Sequence, residues 1–191
     1  MRLHLTGASG TGTSTLGAAL ATRLGCPCVD SDDALWERTD PPFTRLRPVA
    51  DRLAWLQAAL PEGGAAERWV VAGSMVGWGD QLLPSLNLVV YLSLEAGSRM
   101  ERLRAREAAR YGARIARGGD MAAANSAAFL AWAAAYDTAG PKQRSRSLHE
   151  AWLRDLPCPV LRLNSAAPVD ELADAVMAHP ATRQNSGLLF R

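Results

Sequence analysis

Gly7-Ala8-Ser9-Gly10-Thr11-Gly12-Thr13-Ser14-Thr15 follows the short alternating run Arg2-Leu3-His4-Leu5-Thr6. It precedes Leu16, Ala19, Leu20 and Leu24, which recur at helical spacing until Gly25. Strand, glycine loop and helix is the order a phosphate-binding loop requires. In the pattern G-x-x-x-x-G-K-[ST], backbone N–H groups curl around phosphate oxygens, the lysine reaches the β/γ-phosphates and the next hydroxyl holds Mg²⁺. Gly7 and Gly12 fit the pattern and Ser14 supplies the hydroxyl, but Thr13 stands where the lysine belongs. The nine residues from Gly7 to Thr15 are therefore expected to bind phosphate. The alternative is a glycine-rich turn with no ligand.

Outward from that loop, the chain alternates strand and helix. Cys26 to Asp30 reads as a second strand, Arg68 to Ser74 as a third, Leu86 to Leu92 as a fourth and Pro159 to Leu163 as a fifth. The third and fourth are nearly continuous apolar runs, which suits a parallel sheet covered on both faces. Val49, Leu53, Leu56 and Leu60 form a helical stripe closed by Pro61, and Asp40 to Pro48 is a proline-punctuated loop. Helices are expected from about Ala96 to Arg110, from about Met121 to Tyr136 and from Val169 to Ala178, with a loop from Tyr111 to Gly119. One domain over residues 1–180 is expected, with 181–191 as a flexible tail.

At 191 residues, 48% apolar and 21% charged, the composition is that of an ordinary soluble globular domain. A net charge of +2 argues against general nucleic-acid binding. Lys142 is the single lysine, so another lysine can hardly replace the one missing from the loop. Cys26, Cys28 and Cys158 have no C-x-x-C spacing and read as buried small hydrophobes. The opening MRLHLTGASG contains no charged-then-apolar leader, and no stretch of about 18 apolar residues could span a bilayer. A cytoplasmic location without membrane contact is the expectation.

The phrase GASGTGTST resembles the GASGSGKST of P-loop NTPases in the nucleoside-monophosphate-kinase-like group, which includes adenylate, shikimate and gluconate kinases, and is similar to its lysine-less variants. The resemblance implies an α/β three-layer fold with a five-stranded parallel sheet flanked by helices. It also implies ATP and Mg²⁺ as cofactors, an acceptor-binding region at about 30–62 and an arginine-bearing lid at about 99–120. The stretch Val29-Asp30-Ser31-Asp32-Asp33 resembles the D-x-D of shikimate-kinase-like members, in which a carboxylate organises Mg²⁺ or orients the acceptor. Asp30 and Asp32 are thus candidate catalytic residues, Ser14 and Asp32 candidate metal ligands, and Asp33 a candidate substrate contact. An acidic helix cap is the competing reading. Arg45 and Arg47 stand where acceptor-binding arginines often occur; as loop residues they could equally be solvated charges.

Arg99, Arg102, Arg106 and Arg110 are spaced by three, four and four residues and share one helix face. Such a stripe repels itself unless something anionic faces it. Either Glu95 and Glu101 neutralise it, or Arg102 and Arg106 meet the transferring phosphoryl group, with Arg114 and Arg117 as further candidates. No acid follows the third strand, where Gly73-Ser74 stands instead. Asp80 reads as a helix cap, and His149 and Glu150 form no recognisable triad with Ser147. Arg144 and Arg146 are candidate contacts to a base or acceptor. The tryptophans, with Phe129, Trp132 and Tyr136, read as packing residues.

The leading expectation is an ATP-dependent kinase acting on a small-molecule or nucleotide acceptor. A nucleotide-binding protein that has lost catalysis, and a transferase using another phosphate-bearing donor, are the alternatives.

Overall fold

The computed structural model describes residues 1–61, 67–116 and 121–183. Five strands, β1 (Arg2–Gly7), β2 (Cys28–Asp30), β3 (Trp69–Ala72), β4 (Leu88–Ser93) and β5 (Val160–Asn164), form one sheet. Their order is β2-β3-β1-β4-β5 and every pairing is parallel, as expected. Parallel pairing brings the C-terminal ends of all five strands to one edge of the sheet, which in open α/β sheets is the ligand edge.

The period-two alternation of the strands divides the core into two layers. Leu3, Leu5, Val70, Leu88 and Val90 face α1 (Thr13–Leu24) and α7 (Val169–Ala178). Trp69, Val71, Val89 and Tyr91 face α2 (Ser31–Leu35), α3 (Val49–Ala59) and α6 (Arg146–Arg154). The helices α4 (Ala96–Ala116) and α5 (Met121–Ala134) pack together through Met100, Leu103 and Ala133.

The differences from expectation have local causes. The helix expected to end at Arg110 continues to Ala116 because Leu103, Glu107 and Tyr111, at four-residue spacing, all remain buried. The expected loop from Tyr111 to Gly119 is therefore helical over its described part, and Arg117 lies outside the described residues. Helix α6 was not expected; Ser145 caps it by accepting from Leu148 N, and His149 and Leu153 bury one side of it. The three cysteines are half-buried and free rather than fully buried. Residues 181–183, expected in the tail, belong instead to a short helix, α8 (Pro180–Arg183), with the buried Thr182 hydroxyl donating to Val176 O at 3.0 Å. Residues 184–191 lie outside the description. Among the described residues no helix is long and apolar enough to cross a membrane.

Candidate active site

The glycine loop joins the central strand β1 to α1 and forms the floor of a cleft of about 940 Å³. Gly10 and Gly12 hold φ of 87° and 84°, which folds the loop back over the start of the helix. Thr11 closes the turn by donating from Oγ1 to Ala8 O at 2.8 Å. Helix α1 has no side-chain cap and no acid in its first turn. Its free N–H groups and positive dipole end therefore face the cleft, an arrangement that favours an anion.

Asp30, Asp32 and Asp33 line the same cleft from the end of β2. Asp30 serves both readings: its Oδ1 caps α2 by accepting from Asp32 N at 2.9 Å, and its Oδ2 accepts from Ser14 Oγ at 2.6 Å. A hydroxyl and a carboxylate in contact, with Asp32 beside them, are the oxygen donors a hard cation such as Mg²⁺ takes. Asp32 is open to the cleft but walled by protein. Desolvation pushes its carboxyl above the ordinary range, against the pull of Arg144.

The arginine stripe divides on folding. Arg99 is only 1% exposed, donates to Asp137 Oδ2 at 2.8 Å and to Ser9 O at 3.4 Å, and so fastens α4 to the loop. Arg102, Arg106 and Arg110 line the cleft. Arg102 donates to Ser165 O at 3.2 Å, while Arg106 lies over the Phe129 ring at 5.4 Å and Arg110 over Phe43 at 4.8 Å. Arg114 pairs with Asp40 at 2.9 Å, joining the end of α4 to the segment after β2.

Arg144 reaches the cleft from the connection between α5 and α6. Its Nη2 donates to Ser9 Oγ at 2.6 Å and its guanidinium lies 4.7 Å over the Trp132 ring. Burial lowers its pKa, partly offset by Asp32.

A second cavity of about 460 Å³ adjoins the cleft. Trp36, Phe43, Tyr111, Phe129 and Trp132 supply aromatic walls, and Asp32, Arg106 and Arg110 border both spaces. Phe129 and Trp132, read from the sequence as packing residues, thus also face an opening.

Arg45 and Arg47 line neither cavity. Arg45 is exposed and pairs with Glu37, while Arg47 donates to the carbonyls of Ala34 and Trp36 at 3.0 and 3.4 Å. Asp80 is exposed at the first position of a 3₁₀ turn (Asp80–Ser85) that Gly79 precedes, so it does not cap that turn as expected, and it lines neither cavity. Ser147 donates to Ala139 O, Glu150 pairs with Arg162, and Arg146 pairs with Asp137, so none of these three lines the cleft.

Asp137 has two guanidinium partners, Arg146 at 2.7 Å and Arg99 at 2.8 Å. Burial works to raise its carboxyl, but hydrogen bonds from Arg146 and Arg99 outweigh it and hold the folded pKa below the ordinary 3.8. A depressed carboxylate stabilises the fold above its unfolded pKa, and that stabilisation is lost as pH falls through the folded value. Asp137→Ala leaves Arg99 buried without its carboxylate and is expected to cost about 2–3 kcal/mol at neutral pH. In urea unfolding across a pH series, the deficit narrows below pH 3.8; a deficit that does not vary with pH would remove the ion pair as its cause.

The family model for the AAA domain matches residues 4–123. The Uncharacterized protein YqaC of Bacillus subtilis (strain 168) is 43% identical over 175 residues, 92% of this chain and 94% of that protein. Shikimate kinase from Aquifex aeolicus vf5 aligns with a TM-score of 0.53 at 14% identity, covering 97% of this chain and 98% of its own. The full-length tRNA isopentenylpyrophosphate transferase from Bacillus halodurans aligns with a TM-score of 0.61 at 10% identity, covering 97% of each chain. At such identities these structures share the fold, a three-layer α/β P-loop NTPase architecture.

Proposed function

This chain belongs to the AAA domain family, and from that membership and the geometry of the cleft we propose a nucleotide-binding phosphotransferase that moves the γ-phosphoryl group of ATP to a small-molecule or nucleotide acceptor. One observation carries the reading: a glycine loop over an uncapped helix N-terminus opens into the same cleft as three carboxylates and four arginines. Backbone N–H groups of Gly7 to Thr15 bind the phosphates. Ser14, with Asp30 and Asp32, offers Mg²⁺ its protein oxygens; when bound, the ion screens phosphate charge. No group of three His, Cys, Asp or Glu residues among those described forms a metal cage, which suits an ion that takes its remaining ligands from phosphates and water.

Arg144 supplies the loop cation that Thr13 does not. Arg102 and Arg106 meet charge that develops on the transferring group. Arg106 and Asp32 border both cavities, so the acceptor occupies the aromatic cavity with its reacting oxygen toward them. Asp32, at the border of the two cavities, accepts the acceptor's proton. Asp33 stays at the cleft wall as a substrate contact.

Calorimetric titration with ATP, with and without Mg²⁺, tests the reading. Metal-assisted binding that Ser14→Ala weakens is expected. Absence of binding would overturn the ATP reading, and binding without turnover over an acceptor panel would favour a nucleotide-binding protein that has lost catalysis.

A further inference from the structure

Four side chains from distant parts of the sequence form one buried line of hydrogen bonds that ends at the cleft. Tyr91 OH lies 3.1 Å from Tyr136 OH, Tyr136 OH 2.6 Å from His149 Nδ1, and His149 Nε2 3.2 Å from Ser74 Oγ. His149 is wholly buried and Tyr91, Tyr136 and Ser74 nearly so. Ser74 alone among the four lines the cleft.

The environment sets the direction of the line. No carboxylate belongs to it, and arginines surround it: Arg99 lies 5.1 Å over the Tyr136 ring and Arg162 5.3 Å over Tyr91. Burial, with Arg144 next, lowers the His149 pKa to about 3, so the ring is neutral and offers one N–H and one lone pair. A phenol is a stronger acid than a neutral imidazole, and the short Tyr136 contact is that of an O–H donating to nitrogen. With Nδ1 as the acceptor, Nε2 carries the hydrogen and donates it to Ser74 Oγ. The Ser74 hydrogen cannot return along the same line. Among the described residues no other side chain or carbonyl accepts it, so it is free to point into the cleft.

The backbone holds Ser74 in that position. Gly73 has φ of 104°, and a Cβ there would stand 2.1 Å from Ser31 Oγ, so only glycine lets β3 turn here against α2. Ser74 O in turn accepts from Trp78 Nε1 at 3.2 Å. A carboxylate at this strand end would accept hydrogen bonds and repel an anion. A hydroxyl already used as an acceptor does the opposite.

We infer that Ser74 is a substrate-binding residue whose hydroxyl donates to an anionic oxygen in the phosphate cleft, and that Tyr136 and His149 are positioning residues that fix the direction of that donation. The inference rests on the reading of the cleft as a phosphate site.

Long-range ¹⁵N–¹H correlation of the histidine rings in the full chain, with His149 assigned by His149→Gln, reads the tautomer without ligand. Hydrogen on Nε2 is expected, and hydrogen on Nδ1 would overturn the proposal. Titration with MgATP then reads function. Loss of a hydrogen bond to a charged oxygen makes Ser74→Ala bind about tenfold more weakly, with Ser74→Thr restoring most of the affinity. The His149 Nε2 resonance shifts on ATP addition in the wild type and not in Ser74→Ala. Tyr136→Phe keeps the ring, frees the imidazole to change tautomer and weakens binding. Equal affinity of wild type and Ser74→Ala would overturn the Ser74 role alone. A wild type that binds no ATP while His149 keeps hydrogen on Nε2 would instead remove the phosphate reading, and the Ser74 role with it.

Discussion

Arg144→Ala is expected to lower the rate of the proposed phosphoryl transfer by about 10²–10³-fold, the loss typical when one preorganised charged donor is removed. Thr13 brings no charge to the loop, and Lys142, the single lysine, is exposed. Two guanidinium groups reach the loop: Arg99, which is paired with Asp137, at Ser9 O, and Arg144 at Ser9 Oγ. The Arg144 Nε is buried and has no partner among the described residues. Burial lowers its pKa, so holding the charge there costs free energy that an arriving phosphate would offset. Arg144→Lys keeps the charge but loses the planar fork and the stacking on Trp132, and should recover only part of the rate. Steady-state kcat/KM, with thermal unfolding of each variant as a control, separates the roles. An unchanged rate in a folded Arg144→Ala protein would reduce the residue to a tether for Ser9.

Gly10→Ala should damage both stability and ligand binding. A Cβ at Gly10 would stand 2.8 Å from Arg99 O and 3.1 Å from Leu103 Cγ, on a backbone with φ of 87°. The carbonyl belongs to a helix and cannot yield as a flexible side-chain end would. The left-handed conformation and the clash together are expected to cost about 2–3 kcal/mol and to displace the loop amides from a bound phosphate. Gly112→Ala is the control: it lies within α4 with nothing within 4 Å of the added carbon, and should stabilise by about 0.5–1 kcal/mol. Urea unfolding and ATP titration of both variants check the pair; equal stability of Gly10→Ala and wild type would show that the loop adapts.

Much of the architecture was legible because it depends on local pattern. Apolar runs mark the strands, and the loop from Gly7 to Thr15 points to the strand end that opens into the cleft. Helix α6 escaped notice because its apolar side is short and contains His149, whose burial depends on Tyr136 and Ser74. Arg99 and Arg102 share a helix face by spacing, yet Arg99 is buried against Asp137 while Arg102 faces the cleft.

Local spacing by itself determined the loop, the strand-helix alternation and the acidic group after β2, since their geometry is written in neighbouring residues. Only the tertiary structure decided that Arg144 meets Ser9 across 135 positions and that His149 meets Ser74 across 75. Hydrogen bonding and charge act over a few ångströms in space, and backbone periodicity carries no information about which distant side chains the sheet brings that close.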